Sequence, residues 1–220
     1  YKALPLGSSI TYKHKLEGDG GQLTSGMGAC SPNYKLTTEN EYFLMDNVIY
    51  PTLDYLEIEG NPYLGILGVN GILTRDGKIS VLGYQYFMQD CDAAPVLNTL
   101  GGDLYDLFET CCLGTFSDEV ESIIVNDLYS SSLVLNCKNK INKENVISGL
   151  DSLNEDTQVI FYPSIKKNKY LEFEASEGAT LVLCTKALTS AKAVAKMYEE
   201  ASYIEFDSKY YRKDICKLNI

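Results

Sequence analysis

The apolar residues of this 220-residue chain come in short runs with two different spacings, and this pattern limits the fold most. No run approaches the ~20 consecutive apolar residues that a membrane-spanning helix needs. In the middle of the chain, apolar side chains recur three or four residues apart, which is typical of helices with one buried face. In the second half, blocks such as 131–136 and 179–184 are short and rich in Val and Leu, which indicates buried strands. Together the two spacings predict an α+β fold.

The composition excludes some classes of function. Nineteen Lys and Arg residues against thirty Asp and Glu residues give a formal net charge of −11, so a general nucleic-acid binder is not expected. The chain is 45% apolar with a mean hydropathy of −0.12, which is typical of a globular protein with a core. It contains one histidine, which excludes sites that need two histidines within this chain.

A helix is predicted shortly after residue 37. Thr38 and Glu41 have the spacing of a capping box. The helix that follows carries its apolar side chains on one side and is predicted to kink or break at Pro51, which lacks a backbone N–H. The apolar positions are Leu44, Val48, Leu53 and Leu56.

Further elements follow from turn residues and apolar spacing. Two apolar runs on either side of Asp76-Gly77 predict a β-hairpin. One helix is predicted from Pro95 to Cys111 because its leucines form a single stripe. After Gly114 we predict five short strands and then a helix over 187–201, with a domain boundary near residues 114–120. The predicted strands are 122–125, 131–136, 157–162, 170–174 and 179–184.

The glycine-rich segment 17–33 is the first candidate for chemistry. Glycine loops can cradle phosphates, but this segment fits neither common phosphate-loop pattern and opens no clear helix, so turns are the favoured interpretation. Its glycines are Gly18, Gly20, Gly21, Gly26 and Gly28.

Two acidic residues and the lone histidine are the other candidates from the residues alone. Asp90 and Asp92 precede the long predicted helix, where they could bind Mg²⁺ or cap the helix, and capping is favoured. His14 lies between two lysines and is interpreted as a solvated loop residue. Taken by themselves, these residues predict no active site.

The seven cysteines leave two interpretations open. They lack the spacing of a zinc site and are compatible with small buried apolar residues or with disulfides of a secreted protein. Because their number is odd, complete pairing within the chain would leave one thiol over. They are Cys30, Cys91, Cys111, Cys112, Cys137, Cys184 and Cys216.

The order of several segments resembles phosphoribosylamine–glycine ligase, also called glycinamide ribonucleotide synthetase. The segment 16–33, LEGDGGQLTSGMGACSPN, is followed by Pro51-Thr52-Leu53 in a predicted helix, by the hairpin and by Gly102 to Tyr105. Near the other end of the chain stands Tyr211-Arg212-Lys213-Asp214-Ile215. The resemblance covers nearly the whole chain but only the C-terminal half of that enzyme. It implies the C-terminal lobe of an ATP-grasp domain at 1–119, followed by a small β-rich C-terminal domain at 120–220.

The resemblance also implies where magnesium and substrate groups should lie. Family enzymes join phosphoribosylamine to glycine with ATP and Mg²⁺, and a Glu and an Asn after the hairpin bind the metal. These two positions fall on Gly83 and Gln85, and the position of a substrate-binding Arg falls on Phe87. Glycine has no side chain and glutamine is neutral, whereas Mg²⁺ favours hard anionic oxygen. A residual site would consist of Lys13, Asp90 and Asp92.

Retained scaffold positions and replaced chemical groups suggest a pseudoenzyme that serves binding, assembly or storage and needs no cofactor. The alternative is a divergent active ligase or a subunit of one, which would use ATP and Mg²⁺. A third candidate is a carrier of a small molecule in the old cleft. Magnesium-dependent ATP turnover distinguishes the first two.

Partners and location are further expectations. The chain begins with Tyr1, which suggests a processed chain or a piece of a longer one. We expect a separate front-half chain or self-association, because an ATP-grasp C-terminal lobe alone would expose an apolar face. No nucleic acid and no membrane are expected. The resemblance favours the cytoplasm, whereas paired cysteines would favour an extracellular location.

Overall fold

A computed structural model describes residues 3–115, 127–140 and 144–217. Within these ranges, no helix has the length and apolar character required to cross a lipid bilayer. The described strands are β1 (Ile10–Thr11), β2 (His14–Leu16), β3 (Gly20–Leu23), β4 (Gly28–Ser31), β5 (Gly68–Leu73), β6 (Ile79–Gln85), β7 (Tyr129–Cys137), β8 (Gln158–Phe161), β9 (Lys166–Lys167), β10 (Phe173–Glu174), β11 (Gly178–Ala187) and β12 (Lys209–Tyr210). The described helices are α1 (Thr38–Leu44), α2 (Tyr50–Ile58), α3 (Asp90–Thr99), α4 (Leu104–Leu113) and α5 (Ser190–Tyr203), with a π-helical turn at Met45–Ile49 and 3₁₀ turns at Glu17–Asp19 and Leu150–Ser152.

The chain forms two compact units that are not continuous in sequence. Of the described residues, the first contains 3–8, 33–88 and 100–115, and the second contains 9–32, 89–99, 127–140 and 144–217. The predicted boundary between 119 and 120 falls outside the described residues. The division into a domain at 1–119 and a domain at 120–220 therefore stays a prediction.

The second unit is built on a six-stranded sheet with the order β1-β4-β7-β11-β8, in which β12 also pairs with β7. All these pairings are antiparallel. The central strands β7 and β11 are apolar on both faces, as their continuous runs predict. Leu133, Leu135, Leu181 and Leu183 pack with α5, whereas Val134, Val182 and Cys184 pack with α3.

The predicted capping box is displaced by one residue. The N-cap of α1 is Thr37, whose hydroxyl accepts the backbone N–H of Asn40, while the Asn40 side chain accepts the N–H of Thr37. The expected pair, Thr38 and Glu41, lies inside the helix. The Glu/Gln pattern of a capping box missed the true pair because asparagine closes it here.

The predicted irregularity near Pro51 takes the form of a π-helical turn. The N–H of Tyr50 donates to the carbonyl of Met45, five residues earlier, and α2 begins at Tyr50 with Pro51 in its first turn. Proline is tolerated there because it has no N–H to place. Val48 and Leu53 are buried as predicted.

The single helix predicted from Pro95 to Cys111 is wrong, because two helices occupy this region. The break contains Gly102, whose φ is 71°, and Asp103, whose carboxylate accepts the N–H of Tyr105 at 2.8 Å and caps α4. The first helix also begins earlier than predicted, and Pro95 lies inside it. Pro95 cannot donate to the carbonyl of Cys91, which accepts the Ser132 hydroxyl at 2.7 Å instead.

The other predicted elements vary in outcome. The hairpin is confirmed as β5 and β6, and the predicted strands 131–136, 157–162 and 179–184 are confirmed in β7, β8 and β11. The predicted strand 170–174 shrinks to β10 because the Asn168 side chain accepts the N–H groups of Tyr170 and Glu172 and forms a tight turn. The predicted strand 122–125 lies outside the described residues. The last helix is confirmed as α5, which Thr189 caps.

The two open interpretations account for five of the seven cysteines. Cys30 and Cys216 form a disulfide, with Cα atoms 6.0 Å apart. Cys91, Cys137 and Cys184 are free and buried, whereas Cys111 and Cys112 are free and at least partly accessible.

Candidate functional site

The glycine-rich segment and the YRKDI segment contact each other. β2, the 3₁₀ turn at Glu17–Asp19 and β3 form a hairpin, which we call the glycine-rich turn (residues 14–23). Residues 210–216, which we call the C-terminal segment, bind to this turn. We call the contact between the glycine-rich turn and the C-terminal segment the clasp. Its hydrogen bonds include Gly18 N–H to Asp214 (2.9 Å), Lys213 N–H to Glu17 (3.0 Å) and Tyr210 Oη to the Lys15 carbonyl (2.5 Å).

Arg212 is the central side chain of the clasp and is only 1% exposed. Its guanidinium donates to both carboxylate oxygens of Asp214 at 2.7 and 2.8 Å, to Asp19 at 3.0 Å and to the His14 carbonyl at 2.8 Å. It also lies over the ring of Tyr12. Hydrogen bonds from Arg212 lower the pKa of Asp214, and the same pairing raises the pKa of Arg212. Sequence reasoning found this segment as part of the resemblance but missed the ion pairs.

Close packing requires glycine at two positions of the glycine-rich segment 17–33. A Cβ on Gly26 would lie 2.1 Å from the Cys91 sulfur, and its φ is 137°. A Cβ on Gly28 would lie 2.5 Å from the Ser132 carbonyl oxygen. These glycines allow close approach of protein to protein. The expectation of turns is wrong for part of this segment, because β3 and β4 are strands within it and Gly28 begins the buried strand β4.

The glycines of the turn itself have different surroundings. Gly18 and Gly21 have positive φ, and Gly21 lies against Leu16. Gly20 has an extended conformation. His14 is half-buried, and its Nδ1 lies 3.1 Å from the Gly21 carbonyl, so it is part of this turn.

The two positions that the resemblance assigns to magnesium lie on β6. Gly83 adds no side chain, and a Cβ placed there would meet nothing within 4 Å. The amide oxygen of Gln85 accepts a hydrogen bond from the Asn70 side chain at 2.9 Å. The two positions thus offer one neutral oxygen, already bonded, and no carboxylate.

The position assigned to a substrate-binding Arg holds an exposed aromatic side chain. Phe87 is half exposed and packs edge-on against Tyr86, with ring centroids 5.3 Å apart. Neither ring can replace a guanidinium fork toward an anion.

Asp90 and Asp92 lie in the first turn of α3. Asp92 accepts the Thr11 hydroxyl at 2.7 Å and the Cys91 thiol at 3.2 Å. Burial raises the pKa of the Cys91 thiol, and the charge of Asp92 adds to this effect. Burial, with a contribution from Asp90, raises the pKa of Tyr162 to about 12.

Lys13 belongs to the same unit as these two acids. Its positive charge opposes the increase in the Cys91 pKa, and its carbonyl accepts the N–H and the hydroxyl of Thr24. Among the residues that the structure describes, no group of three or more His, Cys, Asp or Glu side chains is arranged to hold a metal ion.

A groove of about 300 Å³ lies elsewhere in the second unit. It is open to solvent and lined by Glu144, Val146, Ser148, Glu205, Phe206 and Asp207. None of the residues predicted from the sequence for the site lines it.

Comparisons with known proteins find the family that the sequence resembles. Residues 1–93 match the family model described as phosphoribosylglycinamide synthetase, ATP-grasp (A) domain. Phosphoribosylamine–glycine ligase of Vibrio parahaemolyticus is 31% identical over 219 residues, which cover 96% of this chain and 49% of the relative. The corresponding protein of Neisseria meningitidis serogroup A is 30% identical over 218 residues, covering 97% of this chain and 50% of the relative. The chain thus spans about half the length of the curated relatives it matches.

Solved structures agree on the fold. The crystal structure of phosphoribosylamine–glycine ligase from Thermotoga maritima aligns with a TM-score of 0.75 at 22% identity, covering 94% of this chain and 50% of that one. The biotin carboxylase subunit of pyruvate carboxylase aligns with a TM-score of 0.62 at 15% identity, covering 92% of this chain and 42% of that subunit. The α+β fold and the resemblance to the ATP-grasp ligase are confirmed.

Proposed function

We propose that this chain, a relative of phosphoribosylamine–glycine ligase with an ATP-grasp fold, is catalytically degenerate and serves binding or assembly. The observation that carries the proposal is the pair of positions on β6. Gly83 contributes no ligand, and the Gln85 oxygen is already bonded to Asn70. Phosphoryl transfer needs a cation that neutralises the developing charge, and these side chains offer it no anionic oxygen.

The neighbouring substitutions support the same proposal. Phe87 has no hydrogen-bonding group for an anionic substrate. The glycines that persist at 26 and 28 have packing partners, so their retention is explained without a phosphate. The pattern is that of a preserved scaffold whose chemical groups have changed.

The second candidate is a divergent active ligase that uses ATP and Mg²⁺. Similarity over 96% of the chain and the retained Asp90 and Asp92 favour it. In that case a front half of the enzyme would have to supply the remaining metal ligands. The cytoplasm, implied by the resemblance to a purine-biosynthesis enzyme, is proposed as the location in either case.

Magnesium-dependent ATP turnover in the complete natural protein tests the proposal. We expect no ADP release above the metal-free control when ATP, glycine, phosphoribosylamine and Mg²⁺ are all present. A magnesium-dependent turnover that requires glycine and phosphoribosylamine would contradict the proposal and establish the active alternative.

A restored metal site tests the assignment of the two positions. The double variant Gly83→Glu, Gln85→Asn is expected to bind Mn²⁺, measured by the loss of free-ion electron paramagnetic resonance signal. A Cβ at Gly83 would meet nothing within 4 Å, so the backbone there admits a side chain. The matched control Gly83→Gln, Gln85→Asn has the same size but no added charge and should bind no better than the natural chain. Equal binding by the two variants would contradict the assignment.

The partner proposal follows from the first unit. Strand β6 exposes Leu82 and Tyr84, and the residues directly after it expose Tyr86 and Phe87, which is unusual for a free surface. We propose that a front-half segment or a second copy covers it, and a small molecule in the cleft remains the third candidate.

A further inference from the structure

The clasp and the disulfide restrain the same short segment. Cys216 is two residues from Asp214 and four from Arg212, and it is bonded to Cys30 in the strand β4. The backbone of Cys216 has a φ of 56°, a conformation that costs free energy for a residue other than glycine. Removing the covalent bond would therefore allow Cys216 to leave this unfavourable conformation.

The disulfide is covered. Cys30 is 3% exposed and Cys216 is 2% exposed. Thiol–disulfide exchange requires a thiolate to approach one sulfur directly, so a reductant cannot react while the segment is packed. Several contacts must open before the segment can move away. They include the contacts of Arg212 and Asp214 with the glycine-rich turn and the hydrogen bond from the Tyr198 hydroxyl to the Ile215 carbonyl.

We propose that Cys30 and Cys216 form a redox-sensitive latch whose access is controlled by the clasp. Opening of the clasp exposes the disulfide to a low-molecular-weight thiol such as glutathione. One glutathione thiolate attacks one sulfur, forms a mixed disulfide and displaces the other cysteine as a thiolate. A second glutathione then completes the exchange, so that the protein gains two thiols and glutathione leaves as its disulfide.

Reduction then changes the glycine-rich turn. In the oxidised form the Gly18 N–H is held by Asp214 and the Lys213 N–H by Glu17. In the reduced form the segment has lost its covalent anchor, and both amides should exchange with solvent more readily. The latch thus connects the redox state to the order of the turn, whether or not the protein has catalytic activity.

The rate of reduction tests the control by the clasp. Asp214→Asn keeps the shape of the side chain but removes the charge that pairs with Arg212. Dithiothreitol should reduce the Cys30–Cys216 bond of this variant about tenfold faster, measured by alkylation and intact mass. Asp156→Asn is the matched control, because it removes an exposed carboxylate that pairs with Lys196 outside the clasp. Equal rates in the natural protein and both variants would overturn the proposal.

Hydrogen exchange on the unmodified protein gives a second test that depends on no substitution. Reduction should increase exchange at Gly18 and Lys213 and leave Gly77 of the β5–β6 hairpin, which belongs to the first unit, unchanged. Unchanged exchange at the first two amides would contradict the latch. An intact mass that shows seven free thiols after incubation with glutathione disulfide would also contradict the latch, because the Cys30–Cys216 bond would then not form.

Discussion

At the scale of the residue, identity alone was a poor guide to role. The glycines at 26 and 28 stand in the segment that looked most like a ligand loop, yet the Cys91 sulfur and the Ser132 carbonyl occupy the space beside them. Gly83 has no such neighbour, although the resemblance assigns it to the metal. The sequence shows the same residue type in both cases, so it cannot tell a glycine that close packing requires from a glycine that stands where the family has a metal ligand.

A pair of substitutions separates these two roles. Gly26→Ala should reduce the free energy of unfolding by about 3 kcal/mol, since it adds a clash to an unfavourable φ. Gly83→Ala should change it by less than about 1 kcal/mol because the space is open. Chemical denaturation measures both, and adding Cys91→Ala should recover part of the first loss. Equal effects of the two substitutions would contradict this account.

At the scale of the element, short-range patterns predicted most of what formed. The β5–β6 hairpin follows from Asp76-Gly77 and its flanking apolar runs, and β7 and β11 follow from their apolar composition. The α3–α4 break was missed because the apolar stripe continues across it. Gly102 and the Asp103 cap end the helical path, and the two helices belong to different units.

The clasp predicts a dependence of stability on acid. The pKa of Asp214 is lowered in the folded chain, chiefly by hydrogen bonds from Arg212. A carboxyl with a lowered pKa contributes stability above its unfolded pKa, about 3.9, and loses it as the pH falls through the folded value. The difference in thermal stability between the natural chain and Asp214→Asn should therefore be largest near neutral pH and shrink below about pH 4. A difference that stays constant from pH 7 to pH 2 would contradict this assignment.

At the scale of the whole molecule, the proposed partner depends on two observations. It spans about half the length of the curated relatives it matches. The first unit exposes apolar side chains in β6 and directly after it, among them Leu82 at 66% and Tyr86 at 78%. A partner surface explains this exposure better than a free one.

Association can be measured directly on the natural protein. Sedimentation should show either a second chain or self-association, and Tyr86→Ser should weaken it. Tyr170→Ser removes a similarly exposed ring from the second unit and should have no effect. A monodisperse species of 24.5 kDa in the natural protein would contradict the proposal.

The sequence by itself determined the α+β composition, the hairpin, three of the six strands of the sheet and the resemblance to an ATP-grasp ligase. Those features depend on apolar spacing, turn residues and motif order, which can be recognised within short segments. The same information identified Gly83, Gln85 and Phe87 as changed positions, since a missing carboxylate or guanidinium is visible without coordinates.

Only the tertiary structure decided which residues meet. Arg212 contacts His14 and Asp19, which are 198 and 193 residues away along the chain, and Cys30 pairs with Cys216 across 186 residues. Seven cysteines and thirty acids allow many such pairings, and no local rule chooses among them. The choice follows from the packing of β4, β7 and the C-terminal segment, because close packing brings each side chain to a small set of neighbours.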